Sequence, residues 1–406
     1  MELTESETLL SDKIVRDRRK KNLPVYNAGL GANPFPAHPK MLELFKTSIE
    51  NNKGYTSPSG IEELKDTLIA TYSNSNYLVD NVIIGNGLKE LLFILMTALR
   101  DTHKLYLITP CWVSYIEQAK LIKIEYSLIK THKSTNYKIT PQTLDMALCD
   151  TDKQKVVILN NPTNPTGAIY YKEELKNLAK ILKRHSALVI SDEIYKGLVY
   201  PLNKFMTCSI SHYYAKTIIG SSLSKDFNVG GWRLGWLTFT EDLITLYRRV
   251  YILSSSMYSC ATTPLQRVAS ECLLLPTELL DYQNYMSEFF YKVGQYCYAR
   301  FQDMDLITSK PQACWYIFLD FTNYKGKFTK LGVSTSTELV EFLINKLGLV
   351  TVSGKSFGYR YLTLRYSFVD IIDPEKNIPF TDKIANITRG LDKLATFLHR
   401  PNQDIF

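Results

Sequence analysis

Several classes of protein are excluded by what these 406 residues do not contain. There is no Cys-x-x-Cys pair. The seven cysteines (Cys111, Cys149, Cys208, Cys260, Cys272, Cys297, Cys314) are widely spaced and odd in number, which argues against a disulfide framework or a zinc site and fits a reducing, cytoplasmic setting. The six histidines show no ligand spacing, so no metal centre is expected. No apolar run approaches the roughly 20 residues of a membrane span. Met1 to Asp12 is acidic and lacks an apolar core, so no secretory leader is expected. Internal repeats, low-complexity tracts and long flexible linkers are also missing. The net charge is +8, but the basic residues are scattered. The one dense run, Arg16 to Lys21, reads better as a solvated helix end or a surface gripping a partner subunit than as a nucleic-acid patch.

What is present belongs to an ordinary globular protein: 45% hydrophobic and 22% charged residues. The length predicts two domains, possibly three. Residues 1 to 25 read as an amphipathic lead-in followed by extended chain. Ser59 and Glu62 form a capping-box pattern ahead of apolar Ile61, Leu64, Leu68, Ile69 and Tyr72 at helical spacing. Short apolar strands are expected at Val82–Ile84, Leu105–Thr109, Val156–Leu159, Ala187–Ser191, Thr217–Gly220 and Leu234–Phe239, alternating with helices such as Lys172–Arg184. That alternation implies a mostly parallel sheet with helices on both faces. Residues 240 to 310 read as largely helical. The remainder mixes strands (Trp315–Phe321, Leu362–Ser367) with helices (Ser336–Lys346, Asp382–Leu398), a second α+β unit.

The chemistry concentrates in Ser221 to Trp236. Lys225 is ringed by Ser221, Ser222 and Ser224, and Arg233 follows a Gly-Gly pair. A lysine amine is a nucleophile only when partly neutral, which burial or a nearby cation achieves. The serines and the planar guanidinium suit phosphate oxygens. A Schiff-base lysine beside a phosphate clamp is what pyridoxal phosphate (PLP) needs; the bland alternative is a solvated loop lysine. Gly85-Asn86-Gly87-Leu88-Lys89 joins a strand to a helix and forms either an anion cradle or a plain tight turn. Trp112, just past a strand end, either stacks on a planar ligand or fills core space. Asp192 ends an apolar strand, where open α/β sheets place ligand chemistry, or it is a helix N-cap. The glycine- and proline-rich stretch Asn27 to Pro36 is a connector or a lid lying close to a ligand.

Four blocks in order, Asn-Asn-Pro-Thr-Asn-Pro-Thr-Gly (160–167), Ser-Asp-Glu-Ile-Tyr (191–195), Ser-Leu-Ser-Lys (222–225) with Gly-Gly-Trp-Arg-Leu-Gly (230–235), and Leu-Arg-Tyr-Ser (364–367), make the sequence resemble the class I/II aminotransferases. These are PLP enzymes of the aspartate aminotransferase fold, and the resemblance covers roughly residues 24 to 400. It implies an α/β large domain at 54–295 with a mostly parallel central sheet flanked by helices. It implies a smaller α+β domain built from 1–53 and 296–406. Lys225 would carry PLP as a Schiff base and move the substrate proton, and Asp192 would hold the ring nitrogen protonated. Tyr195 and Asn164 would bond the ring oxygen, and Trp112 would stack on the ring. The phosphate would lie on the backbone of Gly87, Leu88 and Lys89, on Ser222 and Ser224, and on Arg233. Tyr55 would reach the phosphate of a neighbouring subunit in an obligate homodimer with shared active sites. Arg365 would clamp the substrate α-carboxylate, with the Gly31 backbone nearby; an arginine in an apolar strand needs a buried anion partner.

Two departures from the family pattern stand out. Leu88 replaces a small hydroxyl or alanine, and Gln312-Ala313-Cys314-Trp315-Tyr316 replaces a Gly-Ala-x-Tyr type, so that Cys314 and Trp315 are expected to narrow the substrate pocket. Phe35, Trp112, Trp315 and Tyr316 would suit an aromatic substrate or serve as packing. The expected reaction is ping-pong transamination between an α-amino acid and a 2-oxo acid. The alternatives are a C–S lyase, an aminocyclopropane-carboxylate-synthase-like enzyme, or a non-catalytic binding protein of the same fold. A fused DNA-binding domain is not expected, because the pattern begins near residue 24.

Overall fold

Among the described residues, runs of β-branched residues bounded by turns build a seven-stranded and a four-stranded sheet, with a separate two-stranded pair beside them. A computed structural model describes residues 7–73, 79–151 and 153–400; part of the acidic N-terminal stretch lies outside them. Following a two-residue strand β1 (Tyr26–Asn27), the large sheet contains β2 (Val79–Gly85), β3 (His103–Thr109), β4 (Tyr126–Lys130), β5 (Gln154–Asn160), β6 (Leu188–Asp192), β7 (Thr217–Ser222) and β8 (Gly235–Thr240). Its order is β2-β8-β7-β6-β5-β3-β4. β8 runs antiparallel to both neighbours, and the other pairs are parallel. Val156 to Leu159 of β5 are buried, as befits a strand covered on both faces. The fold is therefore α/β with a mostly parallel central sheet.

The second sheet is antiparallel: β9 (Ile307–Thr308), β10 (Tyr316–Asp320), then, after β11 (Leu349–Val350), β12 (Val352–Ser353) and β13 (Thr363–Ser367), in the order β12-β13-β10-β9. β11 pairs in parallel with β1, joining the two ends of the chain through Tyr26 and Leu349. A 27-residue helix, Thr277–Asp303, runs across the boundary expected at 295/296.

The expected strands appear with ends shifted by up to three residues, and the helix Lys172–Arg184 has the expected bounds. Three details differ. The Ser59–Glu62 capping box does not form. The helix Glu62–Tyr72 starts after Ile61 with no side-chain cap. Ser59 instead pairs its hydroxyl with that of Ser57 at 2.7 Å, and Gln266 Oε1 accepts the Ile61 N–H at 2.8 Å. The strand β4 was not anticipated, because an edge strand of mixed burial carries no periodic signal. The C-terminal helix is split into Phe380–Lys383 and Ala385–His399.

Candidate active site

The C-terminal ends of β5, β6 and β7 open into a cavity of about 600 Å³. Its walls include Gly31, Leu88, Lys89, Trp112, Asn164, Asp192, Tyr195, Ser224, Lys225, Arg233 and Arg365, so residues far apart in sequence converge there. Four cations (Lys89, Lys225, Arg233, Arg365) face one carboxylate, Asp192, among the lining residues.

The lysine is set by a tight local turn. Ser222 Oγ accepts the Ser224 N–H at 3.1 Å and caps the four-residue helix Leu223–Asp226. Lys225 Nζ then donates to Gly31 O at 2.8 Å, with no carboxylate among the described residues paired to it. Burial, with Arg365 and Arg233 adding repulsion, pushes its amine down to about 8. Near neutral pH an appreciable fraction is therefore the free amine.

Arg233 sits in a left-handed backbone conformation, φ 62°, which an L residue adopts at a cost of about 1–2 kcal/mol. Its guanidinium donates to Gly230 O and Asn86 O, each at 2.8 Å. Gly87 (φ 96°) lies directly behind it: a Cβ there would fall 2.3 Å from Arg233 Nη2. Gly87 is the N-cap of the helix Leu88–Leu99 and makes no side-chain cap, leaving backbone N–H groups at the positive end of the helix dipole. Lys89 has its ammonium 5.4 Å from the Trp112 ring. Burial lowers its pKa, Glu117 opposes the shift and Arg233 adds to it.

Asp192 closes β6 and is fully enclosed. Tyr115 donates to its Oδ2 at 2.5 Å and the Ile194 N–H to its Oδ1 at 3.1 Å. Burial raises its pKa to about 6 against the pull of those two bonds. Tyr195 bonds the Tyr316 hydroxyl at 2.9 Å and receives Asn164 Nδ2 at 3.5 Å; burial pushes its phenol well above the usual range.

Arg365 projects from β13 and is 1% exposed. Nη2 donates to Gly29 O at 2.6 Å and Nη1 to Asn164 Oδ1 at 3.2 Å. Nε is buried without a partner among the described residues. The guanidinium lies between the rings of Tyr316 (4.7 Å) and Phe357 (5.3 Å). Its partners are neutral oxygens, so the anion that such a cation needs must come from a ligand.

Not every expected residue reaches the cavity wall. Gly87 and Ser222 stand behind it, supporting Arg233 and Ser224. Tyr55 is 92% exposed on a separate turn. Cys314 and Trp315 do not narrow the pocket, contrary to expectation. Cys314 has φ 59°, which turns the chain just before β10, and Trp315 packs against Phe290 and Tyr195 behind the wall. Tyr316 faces the cavity instead. Tyr115, bonded to Asp192, escaped the sequence reading, and Tyr316 was expected to suit an aromatic substrate or serve as packing, not to bond Tyr195. Tyr115 had a signal: it follows Trp112 by one helical turn, and their rings meet edge-on at 5.3 Å.

This donor set fits PLP. The clamp of Arg233, Lys89 and the uncapped helix start suits a phosphate, the buried carboxylate suits a protonated ring nitrogen, and the unpartnered Arg365 Nε suits a substrate carboxylate.

Comparison with known proteins agrees. A family model for aminotransferases of class I and II matches residues 25–376. The aspartate aminotransferase of Bacillus sp. (strain YM-2) is 29% identical over 364 residues, covering 88% of this chain and 90% of its own. The asparagine–oxo-acid transaminase of Streptococcus mutans is 28% identical, covering 88% and 91%. Among solved structures, the aspartate aminotransferase of Thermotoga maritima superposes with a TM-score of 0.81 at 25% identity, over 98% of each chain. The chain belongs to the class I and II aminotransferases and is a PLP-dependent enzyme that transfers amino groups between amino acids and 2-oxo acids.

Proposed function

We propose that this chain carries out ping-pong transamination with Lys225 as the residue that anchors PLP and moves the reacting proton. The observation that carries the reading is the Lys225 amine, bonded to Gly31 O at 2.8 Å in a cavity that Lys89, Arg233, Arg365 and the carboxylate of Asp192 also line. When bound, PLP supplies an electron sink that acidifies the substrate Cα–H. Arg233, Ser224, Lys89 and the backbone N–H groups from Gly87 to Lys89 hold the phosphate, with Ser222 fixing Ser224. Asp192 keeps the proton on the ring nitrogen, since a negative partner raises the pKa of a cation. Tyr195 and Asn164 hold the ring oxygen, and Trp112 covers the ring face. Arg365 and the Gly31 backbone orient the α-carboxylate. Lys225 would hold PLP through its amine and, when that amine is free, would serve as the base for the substrate Cα proton.

In this reading residues 54–295 form the cofactor-holding domain, and 1–53 with 296–406 form the smaller one. The enzyme works as a cytoplasmic homodimer. The exposed Tyr55 ring, with Ile252 and Met257 exposed on the helix Ile244–Tyr258, supports a partner subunit whose phosphate Tyr55 reaches. The names of the relatives support aspartate or asparagine as the amino donor. An absorbance spectrum of the purified enzyme, followed by additions of single amino acids, tests the reading. A near-visible band that Lys225→Ala loses, and that aspartate or asparagine removes without release of ammonia or pyruvate, is the expected result. Normal turnover by Lys225→Ala would overturn it.

A further inference from the structure

Tyr316 opens β10 at the cavity wall and is 1% exposed. Its side chain meets three of the groups assigned to cofactor and substrate. The hydroxyl shares a 2.9 Å hydrogen bond with that of Tyr195, in which either oxygen can be the donor. The same hydroxyl fills the space that a side chain at position 31 would need: a Cβ on Gly31 would fall 2.6 Å from it. Gly31 O is also the acceptor of the Lys225 amine. The Tyr316 ring lies 4.7 Å from the Arg365 guanidinium. These contacts close a loop. Arg365 Nη1 donates to Asn164 Oδ1 at 3.2 Å, and Asn164 Nδ2 donates to the Tyr195 hydroxyl at 3.5 Å. Tyr195 meets Tyr316, whose ring returns to Arg365.

We propose that Tyr316 is a positioning residue whose hydroxyl donates to Tyr195 and so aims the Tyr195 proton into the cavity, at the ring oxygen of the cofactor. The inference rests on the role proposed above for Tyr195. A tyrosine hydroxyl has one proton to give and two lone pairs to receive others. The Asn164 amide nitrogen only donates, so it takes one lone pair of the Tyr195 oxygen. With Tyr316 donating to the second, the proton of Tyr195 has one direction left, the cavity that Tyr195 lines. A hydroxyl that accepts a hydrogen bond is also the stronger donor, because successive bonds polarise one another. Burial raises the Tyr316 phenol, against the pull of Arg365 and Tyr195, so it keeps its proton to give at neutral pH. Phenylalanine at this position would retain the ring beside Arg365 and lose only the hydroxyl. The same fixed hydroxyl explains why position 31 carries no side chain, although its backbone is not left-handed.

The test uses Tyr316→Phe, Gly31→Ala and the double variant Gly31→Ala/Tyr316→Phe. In the PLP-loaded enzyme the near-visible band is titrated with pH. A donor on the ring oxygen favours the form in which that oxygen is more negative, which is the high-pH form, so a weaker donor moves the midpoint up. Tyr316→Phe should raise the midpoint by about 0.4 to 1.1 pH units, the equivalent of one neutral hydrogen bond. Its kcat should fall about twofold to tenfold with KM within about twofold, because the ring beside Arg365 is kept. A residue that only fills space would leave the midpoint unmoved. Gly31→Ala is followed by the Tm of the cofactor-free protein and should be destabilising with tyrosine at 316. With phenylalanine there, the nearest ring atom to the new Cβ would be 3.5 Å away, an ordinary contact, so most of that loss should vanish. A Tyr316→Phe midpoint within about 0.2 unit of wild type, or a Gly31→Ala loss undiminished in the double variant, would overturn the proposal. Failure of the site assignment is separable, because it would show as a wild-type enzyme without the band or as turnover by Lys225→Ala.

Discussion

Replacing Arg365 by lysine keeps the charge and removes the fork. The guanidinium uses one Nη on Gly29 O and the other on Asn164 Oδ1, leaving Nε buried and unpartnered. An unsatisfied buried donor is unfavourable by about 1–3 kcal/mol, and a substrate carboxylate meeting Nε and a remaining Nη proton removes that penalty. A lysine ammonium offers one point contact where arginine offers two parallel bonds. Losing one hydrogen bond to a charged group is worth about 1.5–3 kcal/mol, which is roughly tenfold to a hundredfold in affinity. The contact is made with the α-carboxylate before and during the reaction alike, so the loss should fall on KM and leave kcat within a few-fold. Steady-state kinetics with each amino donor and oxo acid should show KM rising for all of them together. The substrate-free variant should unfold at the same or a higher temperature, because the orphaned Nε is gone. A KM within about twofold of wild type, or a selective effect on one substrate, would contradict the assignment of Arg365 to the shared carboxylate.

Tyr115→Phe removes a 2.5 Å bond to Asp192 and should raise that carboxyl further above its present value of about 6. Because the folded pKa lies above the unfolded one, this group favours the native state at low pH, and the benefit is lost as pH rises through the folded value. The fall in Tm that this group produces in the cofactor-free enzyme, between about pH 4 and 6 in wild type, should therefore extend to higher pH in the variant. Gly87→Ala forces a left-handed alanine and pushes Arg233 off its seat. PLP affinity, followed by fluorescence quenching, should fall about tenfold or more. Lys327→Met strips three backbone carbonyls (Phe397, Leu398, Arg400) of a donor at 2.7–2.9 Å. It should lower stability by about 2–4 kcal/mol, seen in the Tm, with kinetic constants unchanged.

Much of the architecture was readable because its signals are local. β-branched runs ending in turns gave the strands, and charged residues at the end of an apolar strand (Asp192), just past one (Lys225) and inside one (Arg365) marked the site. The misses share a different cause. Ser59 looked like a cap, but the acceptor for Ile61 comes from Gln266, 205 residues away. Strand alternation could not decide between Trp315 and Tyr316, because the left-handed Cys314 just before β10 resets which side chain faces inward. Tyr115 offered only its spacing from Trp112, and its bond to Asp192 joins residues 77 positions apart.

The Arg365 bond to Gly29 joins residues 336 positions apart, and β1 waits for β11 in the same way. During synthesis at about 5–20 residues per second, the segment that closes the cavity leaves the ribosome roughly 20 to 70 s before its anchor exists. The large sheet, complete by Thr240, needs none of that later chain to pair its strands. The first-made segment is thus the last to be seated, and the nascent enzyme must keep Tyr26 to Phe35 out of other contacts until its final sixth is made.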